Sequence, residues 1–148
     1  MQEINLYIAT GARSPGKQRA RYLYILELKT ARGPVTLTAS GYLEGTRNHI
    51  EAEALKKALE RVNKPVSVHL YTGSGYLAAV FEQEWLSGWV EQGWKNRKGK
   101  PVSNQEEWRE VAELLCGKDI SVHRESHAYS RWMERELARE DRKEQKDV

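Results

Sequence analysis

The sequence predicts an α/β protein built on a mixed five-stranded sheet, three antiparallel strands followed by two parallel ones, with helices on both faces. Three observations lead there. The first forty residues carry apolar side chains at every second position, in segments joined by short turns. At Asn48 the spacing changes to three and four residues, the period of a helix with one buried face. After Pro65, two short alternating segments are separated by helical ones, which calls for crossovers and hence parallel strands.

Each element has its own justification. Ile4, Leu6 and Ile8 alternate with polar or small residues and end in Thr10-Gly11. Ser14-Pro15-Gly16 is a turn. Residues 20–30 place Tyr22, Tyr24, Leu26 and Leu28 on one face and Leu23, Ile25, Glu27 and Lys29 on the other. Arg32-Gly33-Pro34 is too short for anything but a hairpin, and Val35, Leu37 and Ala39 continue it. The first helix runs from Asn48 through Ile50, Leu55, Leu59 and Val62; Asn48 and Glu51 have the spacing of a reciprocal N-cap. Val66, Val68 and Leu70 form the fourth strand, and residues 74–85 a second helix. A third helix, capped by Ser103 or Asn104, carries Trp108, Val111, Leu114 and Leu115 and closes at Gly117. Ile120 and Val122 mark a short fifth strand, and a last helix starts at Arg131. His69 and His123 fall on the polar-alternating strand faces and read as structural.

The 148 residues fit one domain, expected over 1–140, with a fully polar tail over 141–148 expected to be disordered. No run approaches the roughly 18 apolar residues of a membrane span. The N-terminus enters a strand pattern directly, so no secretory signal is expected, and a single cysteine excludes an internal disulfide. A cytoplasmic location follows as an expectation. The net charge of +3 does not itself demand a nucleic-acid partner, but the cations are clustered.

The clustering lies between Trp85 and Trp108, where four of the five tryptophans sit around Lys95, Arg97, Lys98 and Lys100. Two readings are open. Trp85, Trp89 and Trp108 suit the core of helices, with the basic run as a solvated loop. Alternatively, rings and cations together suit a ridge laid along a phosphate backbone, with Trp94, Lys95, Arg97 and Lys98 as its contact residues.

The element order and several motifs resemble type 1 ribonuclease H. Gly93-Trp94-Lys95, Lys100-Pro101-Val102 and Asn104 to Trp108 look like that family's basic protrusion and following helix. Thr46-Arg47-Asn48-His49-Ile50-Glu51 is similar to the stretch that contacts the hybrid and ends in a catalytic glutamate. Ser126-His127-Ala128 looks like its Gly-His-Ala loop, and Glu136-Leu137-Ala138-Arg139 like its last helix. The resemblance covers residues 3–139. It implies contacts to an RNA–DNA hybrid, through Thr46 and Asn48, and no membrane. It also implies a nuclease site in which four carboxylates hold two divalent cations about 4 Å apart.

This chain departs from that site. Glu51 and His127 stand at the family's catalytic positions, whereas Thr10, Gly73 and Arg135 stand where aspartates are expected. Glu134, one residue earlier, is the other possible ligand on the last helix, and Arg135, if it faces Glu51, would pair with it. The departure predicts a ribonuclease H-like pseudoenzyme that has lost two-metal chemistry, binds no cofactor and retains nucleic-acid binding. The alternative is a working or residual ribonuclease H around Glu51, Glu134 and His127, with Mg²⁺ or Mn²⁺ only in that case. A further alternative is a protein-interaction scaffold.

Overall fold

The structure, a computed structural model, describes residues 1–146, with side chains through residue 139. Its elements are β1 (Gln2–Thr10), β2 (Gln18–Thr30), β3 (Gly33–Gly45), α1 (Arg47–Leu59), β4 (Val66–Thr72), α2 (Gly75–Glu82), α3 (Trp85–Glu91), α4 (Gln105–Leu114), β5 (Asp119–His123) and α5 (Ser130–Lys146). The sheet order is β3-β2-β1-β4-β5. β1 pairs antiparallel with β2 and parallel with β4, and β4 pairs parallel with β5. The expected mixed sheet is therefore present, with its helices on both faces.

The two faces bury different side chains because strand residues alternate. Leu6, Ile8, Tyr24, Leu26, Val68 and Leu70 face α1, α2 and α4, against Ala54, Leu55, Leu77, Val80 and Trp108. Tyr7, Leu23 and Ile25 face α5 through Met133 and Leu137. Arg21, 8% exposed, ties that helix down: its guanidinium donates to the Glu136 carbonyl and the Ser40 hydroxyl, both at 2.9 Å. No helix among the described residues is long and apolar enough to cross a membrane.

Several boundaries differ from the sequence reading. Thr46, not Asn48, is the N-cap of α1; its Oγ1 accepts from the His49 N–H at 3.2 Å, so Glu51 has no capping role. Gly45, at φ +144°, ends the strand directly beside the helix and moves the cap forward. The helix expected over 74–85 ends at Glu82, and a further helix, α3, starts at Trp85 once Glu84 has taken a left-handed φ of 57°. Asn104 is the N-cap of α4 through its backbone, φ 60°, with no side-chain cap bond. α5 runs to Lys146, into the tail expected over 141–148; residues 147–148, and the side chains from 140 onward, lie outside the described residues.

Trp108 is fully buried, and its Nε1 donates to the Tyr76 hydroxyl at 2.8 Å. Trp108→Ala leaves a large void and removes one hydrogen bond from the Tyr76 hydroxyl. Urea unfolding is expected to show a loss of about 3–5 kcal/mol; a loss below about 1 kcal/mol would mean that this helix is not anchored by the ring.

Candidate active site

The parallel register sets the site. Ile8 of β1 lies opposite Thr72 of β4, so Thr10 and Gly73 leave the sheet side by side at its carboxyl edge. Beneath them a cavity of about 470 Å³ is lined by Thr10, Arg47, Asn48, Glu51, Gly73 and Ser74, among others. Glu51 is 7% exposed, on the face of α1 turned to the sheet. Ser74 donates its hydroxyl to Glu51 Oε2. The same Ser74 oxygen caps α2 by accepting from the Leu77 N–H at 3.0 Å, and the Ser74 N–H donates to Thr72 Oγ1 at 3.0 Å. One loop thus fixes the carboxylate, the strand end and the helix start together.

Burial raises the pKa of Glu51, against the Ser74 hydrogen bond and the positive charge of Arg47, which lower it. Arg47 sits at the first position of α1, where the helix dipole already favours anions. Its buried Nε makes no hydrogen bond within the described residues. The cavity therefore holds one carboxylate, one guanidinium and several neutral hydroxyls.

A second cavity, about 310 Å³, shares Thr10 and Gly73 and continues to His127 and Glu134. Of the two α5 candidates, Glu134 lines it, with Ser130, Met133 and Leu137, and Arg135 does not; both charged residues are exposed. The expected Arg135–Glu51 pair is corrected accordingly: Glu51 is partnered by Ser74, within reach of the Arg47 charge. Burial lowers the pKa of His127, so its ring is neutral near pH 7. His127 Nδ1 accepts from the Tyr129 N–H at 3.1 Å, which leaves the proton on Nε2. The ring packs on Tyr7, centroids 4.4 Å apart. Tyr7 and Tyr129 both donate to the buried Glu27, so the His127 loop is tied to the sheet.

The basic segment lies apart from these cavities. Lys95, Asn96 and Arg97 line a groove of about 810 Å³ with Trp85 and Trp89. Lys95, Arg97 and Lys98 are exposed, on a loop closed by a bridge from Lys95 to Pro101. Trp94 is half-buried, contrary to the sequence reading. Gly93 and Trp94 both have positive φ and fold the ring back onto Trp89, and the Arg109 guanidinium lies over it at 5.4 Å. Trp85 is the more exposed ring, at 41%.

A family model described as RNase H matches residues 3–129. This chain belongs to the RNase H family. It is 37% identical over 110 residues to a Ribonuclease H of Chlorobaculum parvum, covering 72% of this chain and 75% of that one. It is 38% identical over 83 residues to a Ribonuclease H of Lachnoclostridium phytofermentans, covering 56% of this chain and 52% of that relative, so the match there spans about half the relative's length. Among solved structures it resembles LC9-RNase H1, described as a type 1 RNase H with the type 2 active-site motif. The TM-score is 0.66 at 19% identity, over 86% of this chain and 64% of that one. That likeness supports the fold alone.

These relatives overturn the expectation of lost nuclease activity. Curated members named Ribonuclease H match at 33–38% identity, which favours the alternative reading. The physical reason is that replacing side chains at the strand ends leaves the cavity, Glu51 and Glu134 in place. Gly73 even has open space where a Cβ would stand. The donor set itself does not fit a pair of divalent ions. Glu51 is the one carboxylate of its cavity, and no group of three or more His, Cys, Asp or Glu forms a metal-holding cluster among the described residues. Sequence reading missed Ser74 as the partner of Glu51. The signal was present: a serine after a strand-ending glycine and three residues before an apolar run is an N-cap pattern.

A carboxyl whose folded pKa is raised costs the fold stability once it ionises. The cost begins as pH rises through the unfolded value, near 4.3, and is complete above the folded one. Glu51→Gln should therefore gain stability over the native chain between pH 4 and pH 7.5, compared by urea unfolding. An equal difference at both values would mean that Glu51 is not destabilised by burial.

Proposed function

We propose that this chain is an endoribonuclease that hydrolyses the RNA strand of RNA–DNA hybrids, with Glu51 as its proton-handling carboxylate. The observation that carries the reading is Glu51 itself: buried at the floor of a cavity where β1 and β4 end, hydrogen-bonded on one oxygen only by Ser74. Membership of the RNase H family supports the substrate class.

In this reading the hybrid backbone lies across the start of α1 and the basic loop. Thr46 and Asn48 meet the sugar edges and 2′-hydroxyls, and Lys95, Arg97 and Lys98 meet phosphates further along. Arg47 brings its guanidinium against the phosphate at the cavity mouth, where a fixed positive charge stabilises the charge that develops as the P–O bond breaks. Glu51, ionised, takes the proton of the attacking water; its raised pKa brings it closer to the pH at which a base is most effective. Neutral His127 presents its Nε2–H from the second cavity, beside Glu134, as a hydrogen-bond donor that steadies the leaving oxygen, which takes its proton from solvent water. For the Mg²⁺ or Mn²⁺ expected for a working enzyme, the carboxylates lining the two cavities are Glu51 and, across the shared rim, Glu134 and Glu125, the last paired with His123.

A labelled hybrid incubated with the purified chain and Mg²⁺ or Mn²⁺ should be cut in its RNA strand. Glu51→Gln should slow cutting at least about hundredfold. No cleavage by the native chain, or full cleavage by the variant, would defeat the proposal. Binding to an uncleaved hybrid provides a second check. Changing Lys95, Arg97 and Lys98 together to Ala should flatten the slope of log K against log salt by about two to three units. An unchanged slope would move the contact surface elsewhere.

A further inference from the structure

The face of the sheet beside α5 carries a second polar constellation, away from Glu51. Its histidines read as structural in the sequence, and the nuclease reading does not use them. His69 of β4 lies opposite Ser121 of β5, and His123 is two residues further on the same face. His69 Nδ1 and His123 Nε2 are 3.0 Å apart. Ser121 Oγ is 3.1 Å from the first and 3.5 Å from the second. The far nitrogen of each ring faces a carboxylate: His69 Nε2 is 2.9 Å from Glu3 Oε1, and His123 Nδ1 is 3.3 Å from Glu125 Oε1.

The carboxylates behind the two rings favour a proton on each outer nitrogen. The two inner nitrogens then present lone pairs to each other at hydrogen-bond distance, which is repulsive unless something positive lies between them. A carboxylate behind each imidazole is also the usual surrounding of a metal-bound histidine, because it orients the ring and raises its basicity. The three inner atoms are spaced so that one point can lie about 2.1 Å from all of them, the bond length of Zn²⁺ to imidazole nitrogen. A cavity of about 470 Å³ beside the pair, lined also by Asn5, Glu27 and Tyr71, leaves room for water to complete the coordination.

We propose that His69, His123 and Ser121 form a binding site for one borderline-soft divalent transition-metal ion of the Zn²⁺, Ni²⁺ or Cu²⁺ class. Two imidazoles select such ions over Mg²⁺, which prefers oxygen ligands. The protein supplies two nitrogens and a hydroxyl, and water supplies the rest, in keeping with the absence of a cluster of three or more His, Cys, Asp or Glu among the described residues. The bound ion joins β4 to β5 and fixes the His123 ring, on which Tyr71 stacks at 4.7 Å. This site stands whether or not the chain cleaves hybrids.

The test is calorimetric titration of the full chain with Zn²⁺ in excess Mg²⁺, alongside thermal unfolding and the visible absorption of the Co²⁺ form. One ion per chain, a midpoint that climbs with Zn²⁺ concentration and a Co²⁺ ligand-field band are expected. His69→Gln and His123→Gln should each remove the band and weaken binding by more than about tenfold, and Glu3→Gln, at an exposed strand end, by about tenfold. Glu3→Gln leaves both rings in place, so it decides the matter even if a histidine variant folds poorly. No binding by the native chain, or binding unchanged in these variants, overturns the site and leaves a shared proton between the two rings.

Discussion

The parallel pairing of β1 with β4 is the constraint on which the rest depends. A parallel ladder brings the carboxyl ends of two strands to the same level, and their backbones cannot both continue into the space beyond. Thr10 and Gly73 are the residues left at that edge. The chain leaving β4 must turn at once into α2, so Ser74 becomes a cap, and its hydroxyl is left facing the one carboxylate that α1 projects toward the sheet. The cavity, the raised pKa of Glu51 and the nearness of Arg47 all follow from this junction. A slip of one residue in the β1–β4 register would turn Leu6 and Ile8 out of the core, so the apolar pattern protects the site geometry.

The fold was legible because periodicity reports which face of each element is buried. The alternation in 4–8 and 20–30 and the helical spacing after Asn48 gave the element order and both layers. Breaks within a continuous apolar pattern were not legible. Residues 74–85 read as one helix leading into the tryptophan segment because nothing in Gln83-Glu84 announces a left-handed turn, which Glu rarely adopts. Trp94 was assigned to the surface from the polarity of its neighbours. The left-handed Gly93–Trp94 pair turned the ring inward, and a backbone reversal of that kind has little signature in composition.

The site was legible by position but not by partner. Thr10, Glu51, Gly73, His127 and Glu134 all line the two cavities that meet at the strand ends. Choosing between Glu134 and Arg135 required the rotation of α5, which Arg21, Met133 and Leu137 set from the far side of the sheet. The inference from missing aspartates to missing activity went too far. It counted charges at the strand ends, whereas relatives named Ribonuclease H match this chain at 33–38% identity. It also gave Glu51 a capping role that Thr46 fills.

The central claim is that one buried carboxylate handles the proton in hybrid hydrolysis. Its most direct test is the pH dependence of the rate under single-turnover conditions. A base must be ionised, so the account predicts a rate that rises with pH through an inflection above the ordinary carboxylate range, set by the burial of Glu51, and a Ser74→Ala variant whose inflection lies higher still because the hydrogen bond that favours the ionised form is gone. A rate independent of pH across that range, or an inflection that Ser74→Ala leaves unmoved, would contradict it.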